Sequence, residues 1–135
     1  MSAFVLDASG LLAYLQDEEG GAEVADALAK TAAMSAANLA EALSKLADHG
    51  ANAREVVAEL EERGVLGGLI EVEPLTAEDS IVVAELRRST RARGLGLGDR
   101  ACLALGRRLG LPVMTGDRAW TELEKELGIQ VYAFR

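Results

Sequence analysis

The sequence has few of the residues on which several common chemistries depend. It holds one cysteine, Cys102, and one histidine, His49, among 135 residues. A single cysteine excludes an internal disulfide, and we expect Cys102 to be a small core residue because its neighbours are Ala and Leu. A single histidine excludes a two-histidine ribonuclease mechanism and a multi-histidine metal site. A serine hydrolase would depend on that same histidine, and the Gly-x-Ser-x-Gly motif is absent.

Other absences narrow the class of protein further. No apolar run is long enough to cross a bilayer, and the first residues lack the basic start of a signal peptide. There is no P-loop, and the glycines at 94, 96 and 98 do not form the Gly-x-Gly-x-x-Gly of dinucleotide-binding folds. No linker or repeat interrupts the chain. These features predict a single domain over residues 1–135, located in the cytoplasm without a membrane partner.

Charge is distributed unevenly along the chain. The net charge of −8 argues against nucleic acid as a partner. However, residues 87–108 contain seven arginines and only one acid, Asp99. This arginine-rich segment is interpreted either as a solvated helix face that offsets acidic neighbours or as a set of contacts to a phosphate backbone. The sequence leaves both interpretations open.

Strand and helix patterns alternate from one end of the chain to the other. Short apolar runs predict strands at 3–6, 32–34, 69–72, 112–115 and 129–134. Helical patterns lie between them, first around Leu11 to Leu15 and then over 22–30, 36–49, 51–63, 76–93, 99–109 and 117–127. The glycines at 94, 96 and 98 predict a mobile loop. This alternation is typical of an α/β fold with a mainly parallel sheet and helices on both faces.

Four acidic residues stand out by their positions. Asp7 ends the first predicted strand, and Asp117 follows the fourth by two residues. The tetrapeptide Gly-Asp-Arg-Ala occurs at 98–101 and again at 116–119, so Asp99 and Asp117 each stand at a predicted helix start. Ligands of such sheets bind beyond the carboxyl ends of the strands, where the winding direction reverses. If the first and fourth strands flank that point, Asp7 and Asp117 share one crevice.

Each acid also has an ordinary structural explanation. Asp7 could be only a turn residue, and Asp99 and Asp117 are good helix N-caps. Glu41 lies opposite the apolar face formed by Leu39, Leu43 and Leu46, and Lys45 is suitably spaced for a surface ion pair with it. Against this, Leu and Ile are missing from the helix face that carries Glu41. A face of small residues would let that helix approach a polar crevice.

Four segments of the sequence resemble one known family. They are Val5-Leu6-Asp7-Ala8-Ser9, Asn38-Leu39-Ala40-Glu41, the run from Gly94 to Ala104, and Val113-Met114-Thr115-Gly116-Asp117-Arg118-Ala119-Trp120. In order and spacing they resemble PIN-domain proteins, and among these the VapC-like toxin ribonucleases of type II toxin–antitoxin pairs. The resemblance covers essentially the whole chain. It implies a three-layer α/β/α domain with a parallel sheet of four to five strands flanked by helices.

The resemblance also implies a role for individual residues. Asp7, Glu41, Asp99 and Asp117 match the acidic quartet that binds Mg²⁺ or Mn²⁺ and carries catalysis. Ser9 and Thr115 match supporting hydroxyl positions, and Trp120 matches a packing position. The implied activity is endoribonuclease cleavage that leaves 5′-phosphate and 3′-hydroxyl ends. Oxygen-only ligands are those that Mg²⁺ and Mn²⁺ prefer over zinc.

Partners are expected on the same basis. The resemblance implies an RNA substrate, a small cognate antitoxin protein and a homodimer, for which the Leu39, Leu43 and Leu46 face is the candidate surface. We expect contacts to RNA phosphates from four arginines near the acidic positions: Arg91, Arg93, Arg100 and Arg118. Two alternatives stay open. One is a PIN-type nuclease for RNA processing or for DNA, and the other is a non-catalytic binding module of the same fold.

Overall fold

The computed structural model describes residues 1–135 as one five-stranded sheet with helices on both faces. The strands are β1 (Phe4–Leu6), β2 (Ala32–Ser35), β3 (Ile70–Glu73), β4 (Val113–Thr115) and β5 (Val131–Ala133). All neighbouring strands are parallel, in the order β3-β2-β1-β4-β5. The predicted parallel α/β/α architecture is therefore confirmed.

Seven α-helices connect or follow the strands. They are α1 (Ala8–Gln16), α2 (Gly21–Leu28), α3 (Ala36–Asp48), α4 (Ala53–Glu62), α5 (Ala77–Thr90), α6 (Leu97–Leu109) and α7 (Glu124–Leu127). Side chains cap several of them, and Thr76 and Asp79 form a reciprocal capping box at the start of α5. None of these helices combines the length and apolar character needed to cross a membrane.

The two faces of the sheet bury separate apolar cores. Phe4 and Leu6 of β1 point to the core beneath α1 to α4, whereas Val5 points to the core beneath α5 and α6. This alternation follows from the two-residue repeat of a β-strand. Cys102 lies fully buried in the second core, as expected, and burial raises the pKa of its thiol well above the ordinary value.

Three helical predictions differ from the structure. The helix predicted at 76–93 ends at Thr90 and continues as a 3₁₀ turn over Arg91–Arg93. The helix predicted at 117–127 is a 3₁₀ helix over Arg118–Leu123 followed by the short α7. Trp120 and Leu123 are both buried, and their three-residue spacing places them on one side of a 3₁₀ helix.

The third difference concerns the glycine-rich segment. Helix α6 begins at Leu97 rather than at Asp99, so Gly98 lies in its first turn and not in a loop. Asp99 is therefore the third residue of the helix, where its carboxylate accepts a hydrogen bond from the Gly96 N–H. The prediction of Asp99 as the N-cap was wrong, because the N-cap is Gly96, three residues earlier. Asp99 nevertheless satisfies a free N–H group at the helix start.

Part of the expected dimer surface packs within the chain. Leu39 and Leu46 are partly buried against the core beneath α1 to α4, together with Val56 and Val57 of α4. The α3–α4 hairpin therefore uses this leucine face for its own packing. Homodimerisation stays a prediction, but Leu39 and Leu46 are no longer assigned to the dimer surface.

Candidate active site

The first and fourth strands lie side by side in the sheet. From β1 the chain moves outward to β2 and β3, and then returns to the other side of β1 to form β4. The winding direction therefore reverses between β1 and β4, as the topological hypothesis required. Asp7 follows β1 directly, and Asp117 comes two residues after the end of β4.

Asp7 is a buried carboxylate held by three donors. It is 5% exposed and caps α1 by accepting a hydrogen bond from the Gly10 N–H. The same oxygen accepts from Ser9 Oγ at 2.7 Å, and the second accepts from Thr115 Oγ1 at 2.6 Å. Burial raises the pKa of Asp7, and nearby Asp99 raises it further, while these three hydrogen bonds oppose the shift.

The two hydroxyls also fasten the β1 end to the β4 end. Ser9 Oγ accepts a hydrogen bond from the Gly116 N–H at 2.9 Å, and Thr115 Oγ1 accepts from the Asp117 N–H at 3.1 Å. Each hydroxyl thus donates to Asp7 and accepts from the turn after β4. This pair of bridges fixes Asp7 relative to the turn that carries Asp117.

Glu41 and Asp99 come from two helices that approach closely. A Cβ atom added at Gly98 would lie 2.9 Å from Glu41 Oε1, so the absence of a side chain at Gly98 leaves this carboxylate its present position. One turn earlier on α3, the buried Asn38 donates from Nδ2 to the Gly98 carbonyl at 2.9 Å. The small residues of this face are visible in the sequence, whereas the packing roles of Asn38 and Gly98 are not.

Asp99 lines the same cavity as the other three acids, and its pKa reflects the charges of two of them. Burial is the largest cause that raises its pKa, followed by the charges of Glu41 and Asp117. Lys45, one turn after Glu41 on α3, acts in the opposite direction. Asp117 itself is exposed and caps the 3₁₀ helix by accepting from the Ala119 N–H.

These side chains surround one open cavity of about 310 Å³. Its wall includes all four acids, Asp7, Glu41, Asp99 and Asp117, together with Ser9 and Trp120. Three cationic residues also line it: Lys45, Arg118 and Arg135. The structure therefore brings the four predicted acids together. Arg135 was not predicted, because nothing near it in the sequence marks it as close to Asp7.

Comparison with known proteins assigns the chain to a family. The family model described as "PIN domain" matches residues 4–126, which is most of the chain. The chain belongs to the PIN-domain family. A comparison with curated proteins found no match to this sequence.

Solved structures share the fold of this PIN domain at low sequence identity. The crystal structure of FitAcB from Neisseria gonorrhoeae is 20% identical, with a TM-score of 0.71 over 97% of each chain. The structure of FitAB bound to an IR36 DNA fragment is also 20% identical. Its TM-score is 0.70, over 97% of this chain and 94% of that one. At this identity the likeness supports the fold alone.

The PIN cavity offers donors suited to a hard divalent cation. Its candidate ligands are carboxylate oxygens, and neither histidine nor cysteine contributes to its wall. No three acidic side chains lie close enough together to hold one ion directly. The carboxylate donors therefore fit Mg²⁺ or Mn²⁺ by their chemistry, whereas their spacing in this structure does not form a three-carboxylate site.

The four predicted phosphate-binding arginines of the PIN domain have different environments. Arg100 is 8% exposed, and its guanidinium donates to the carbonyls of Val83 and Gly96. The predicted phosphate contact was therefore wrong for Arg100, because this side chain holds α5 against α6. Arg93 pairs with Glu122, Arg91 is exposed, and Arg118 lines the acidic cavity.

Trp120 has the packing position that the sequence predicted for it. It is 1% exposed in the core beneath α5 and α6, and one edge of it contributes to the cavity wall. It is the sole tryptophan of the chain, so the tryptophan fluorescence comes from this position alone.

Proposed function

We propose that this PIN domain is a Mg²⁺- or Mn²⁺-dependent endoribonuclease and the toxin component of a toxin–antitoxin pair. The observation that supports the proposal best is the convergence of Asp7, Glu41, Asp99 and Asp117 on one cavity. PIN domains are generally nucleases. The motif resemblance to VapC-like toxins favours the toxin role.

The carboxylates provide the binding site for the cation. Asp7 is held rigidly by its three donors, so it would present its oxygens in one fixed orientation. Asp99 is fixed to the helix start through the Gly96 N–H, and Glu41 and Asp117 complete the set. A divalent cation held there would supply Lewis-acid activation of water and neutralise charge on the scissile phosphate.

Cationic side chains beside the acids suit a phosphodiester substrate. Arg118 follows Asp117 directly and lines the same cavity, so its guanidinium can bind a phosphate next to the reacting one. Arg91 and Arg93 lie before α6, and the ion pair of Arg93 with Glu122 keeps this segment close to the 3₁₀ helix after Asp117. These contacts would orient RNA without reading its sequence.

The acidic cavity also suits an inhibitory protein partner. A small antitoxin could neutralise the enzyme by inserting a basic side chain among carboxylates that repel one another. A homodimer and a cytoplasmic location remain predictions from the resemblance and the composition.

Cleavage of structured RNA tests the proposal. The wild-type protein should cleave RNA with Mg²⁺ or Mn²⁺ and not in EDTA, and Asp99→Asn should abolish cleavage while keeping the Gly96 hydrogen bond. Asp26→Asn is the matched control, because Asp26 lies outside the acidic cavity. Full cleavage in EDTA, or by Asp99→Asn, would refute the proposal.

The same assay separates the alternatives. Cleavage of single-stranded DNA in preference to RNA would favour the DNA nuclease. RNA cleavage without growth arrest on expression would favour RNA processing. Absence of cleavage together with retained RNA binding would favour a non-catalytic binding module.

A further inference from the structure

Arg135 reaches the acidic cavity from a part of the chain that carries no motif. It follows β5 by two residues, and its side chain lines the acidic cavity beside Gly116 and Arg118. The neighbouring Phe134 anchors it: this side chain is 2% exposed, and its backbone N–H donates to the Thr115 carbonyl at 3.1 Å.

Two glycines make room for this arrangement. A Cβ atom at Gly20 would lie 2.5 Å from the Phe134 ring, and one at Gly116 would lie 2.9 Å from it. The same atom at Gly116 would be 3.0 Å from both Nε and Nη2 of Arg135. The guanidinium therefore lies directly over the turn that leads from β4 to Asp117.

The guanidinium is only partly used by the protein. Its Nη1 donates to Glu18 Oε1 at 3.4 Å and to the Glu19 carbonyl at 3.3 Å. Its Nε and Nη2 make no hydrogen bond within the chain, and its ion pair is with Glu18 rather than with any of the four site acids. An Nε–Nη2 edge with two parallel N–H groups is the geometry that binds two phosphate oxygens at once.

A second cavity continues from the first at this point. It has a volume of about 300 Å³ and shares three wall residues with the acidic cavity: Ser9, Lys45 and Arg135. Its remaining wall consists of Leu12, Gln16, Glu18, Asp48 and His49. Arg135 and Lys45 thus stand where the two cavities meet, and a strand that leaves the acidic site this way must pass them.

We propose that the Nε–Nη2 edge of Arg135 binds a backbone phosphate of the substrate strand where it passes from the acidic cavity into the second cavity. This assignment rests on the proposed nuclease function. Lys45 supplies a second positive charge at the same junction, and the wall beyond accommodates the next nucleotide. Arg135 is then a substrate-binding residue and takes no part in proton transfer.

Two substitutions distinguish the contribution of the Nε–Nη2 edge from that of the positive charge. Arg135→Gln removes both, so KM for single-stranded RNA should rise roughly 10-fold or more with little change in kcat, as for a lost charge-assisted contact. The slope of log kcat/KM against log salt should also become shallower by about 0.7. Arg135→Lys keeps the charge, so it should keep the salt slope and still raise KM.

Controls distinguish phosphate binding from a structural effect. Arg63→Gln removes an exposed arginine that lines neither cavity, and should change neither KM nor the salt slope. Urea denaturation of each variant confirms that the compared proteins are folded.

Two results would overturn the inference in distinguishable ways. If the wild-type protein cleaves RNA but Arg135→Gln matches Arg63→Gln in KM and salt slope, Arg135 binds no phosphate and the proposed function stands. If the wild-type protein neither cleaves nor binds RNA, the proposed function fails and this assignment fails with it.

Discussion

Replacing Gly98 by alanine should separate the stability of this PIN domain from its activity. Gly98 lies in the first turn of α6 with an ordinary helical backbone, so alanine fits the backbone without strain. Alanine is favoured over glycine within a helix by up to about 1 kcal/mol. For a chain of this length, that gain corresponds to a rise in Tm of roughly 3–5 °C.

The new methyl group would displace the Glu41 carboxylate in the acidic cavity. It would lie 2.9 Å from Glu41 Oε1, whereas ordinary contacts begin at 3.4 Å, so the carboxylate must retreat by about 0.5 Å or rotate away. Displacement of the flexible end of a side chain costs little stability. Misplacement of a catalytic group by about 1 Å can cost on the order of 100-fold in rate. We therefore expect kcat/KM to fall by roughly 10- to 100-fold.

The measurements are urea denaturation and RNA cleavage on the same preparations. Gly106→Ala in the same helix is the matched control, because its Cβ would lie 2.6 Å from Val113 Cγ2 in the core. That variant should lose stability, by about 1–3 kcal/mol, and keep the activity of its folded fraction. The reasoning is refuted if Gly98→Ala keeps wild-type activity, or if it is clearly less stable than the wild type.

Three further variants test charges and hydrogen bonds around the fold. Arg108→Met leaves Asp79 buried without its ion-pair partner and should cost about 1–3 kcal/mol of unfolding free energy at pH 7. Although burial opposes it, hydrogen bonds from Arg108 and Thr76 lower the pKa of Asp79, so its contribution is present above pH ~4 and lost below. The difference between the urea midpoints of Arg108→Met and the wild type should therefore shrink as the pH falls below ~4; a constant difference would contradict this. Burial raises the pKa of Asp7, so ionisation of this carboxyl group costs stability as pH rises above ~4. In EDTA, the unfolding free energy of Asp7→Asn should therefore exceed that of the wild type by more at pH 8 than at pH 4. An equal difference at both pH values would count against that cause. Thr115→Val removes the hydroxyl that donates to Asp7 and accepts from the Asp117 N–H. It should therefore lower the rate of cleavage roughly 10- to 100-fold. Wild-type kinetics in this variant would show that the hydroxyl bridge is dispensable.

Much of the fold follows from local signals in the sequence. Short apolar runs such as Phe4–Leu6 mark buried strands, and Thr76 with Asp79 marks a helix start through hydrogen bonds between near neighbours. Such interactions depend on residues a few positions apart, so a sequence displays them directly. The placement of Asp7 and Asp117 at one crevice needed one further rule, the reversal of winding in a parallel sheet.

What the sequence concealed depends on contacts between distant residues. Gly98 looks like a loop glycine, yet it lies in the first turn of α6, where its missing side chain leaves space for the Glu41 carboxylate of α3. Arg100 looks like part of an exposed basic segment, yet its partners are the carbonyls of Val83 and Gly96. Arg135 belongs to no motif, and the packing and backbone hydrogen bond of Phe134 bring it to the cavity.

Isothermal titration with Mn²⁺ tests most directly whether the four carboxylates form one metal site. The wild-type protein and the control Asp26→Asn should bind Mn²⁺ equally, and Asp99→Asn should bind it at least about 10-fold more weakly. Trp120 fluorescence, followed in the same titrations, should change with the bound fraction because this side chain lines the cavity. Absence of Mn²⁺ binding by the wild type, or unchanged binding by Asp99→Asn, would contradict the account.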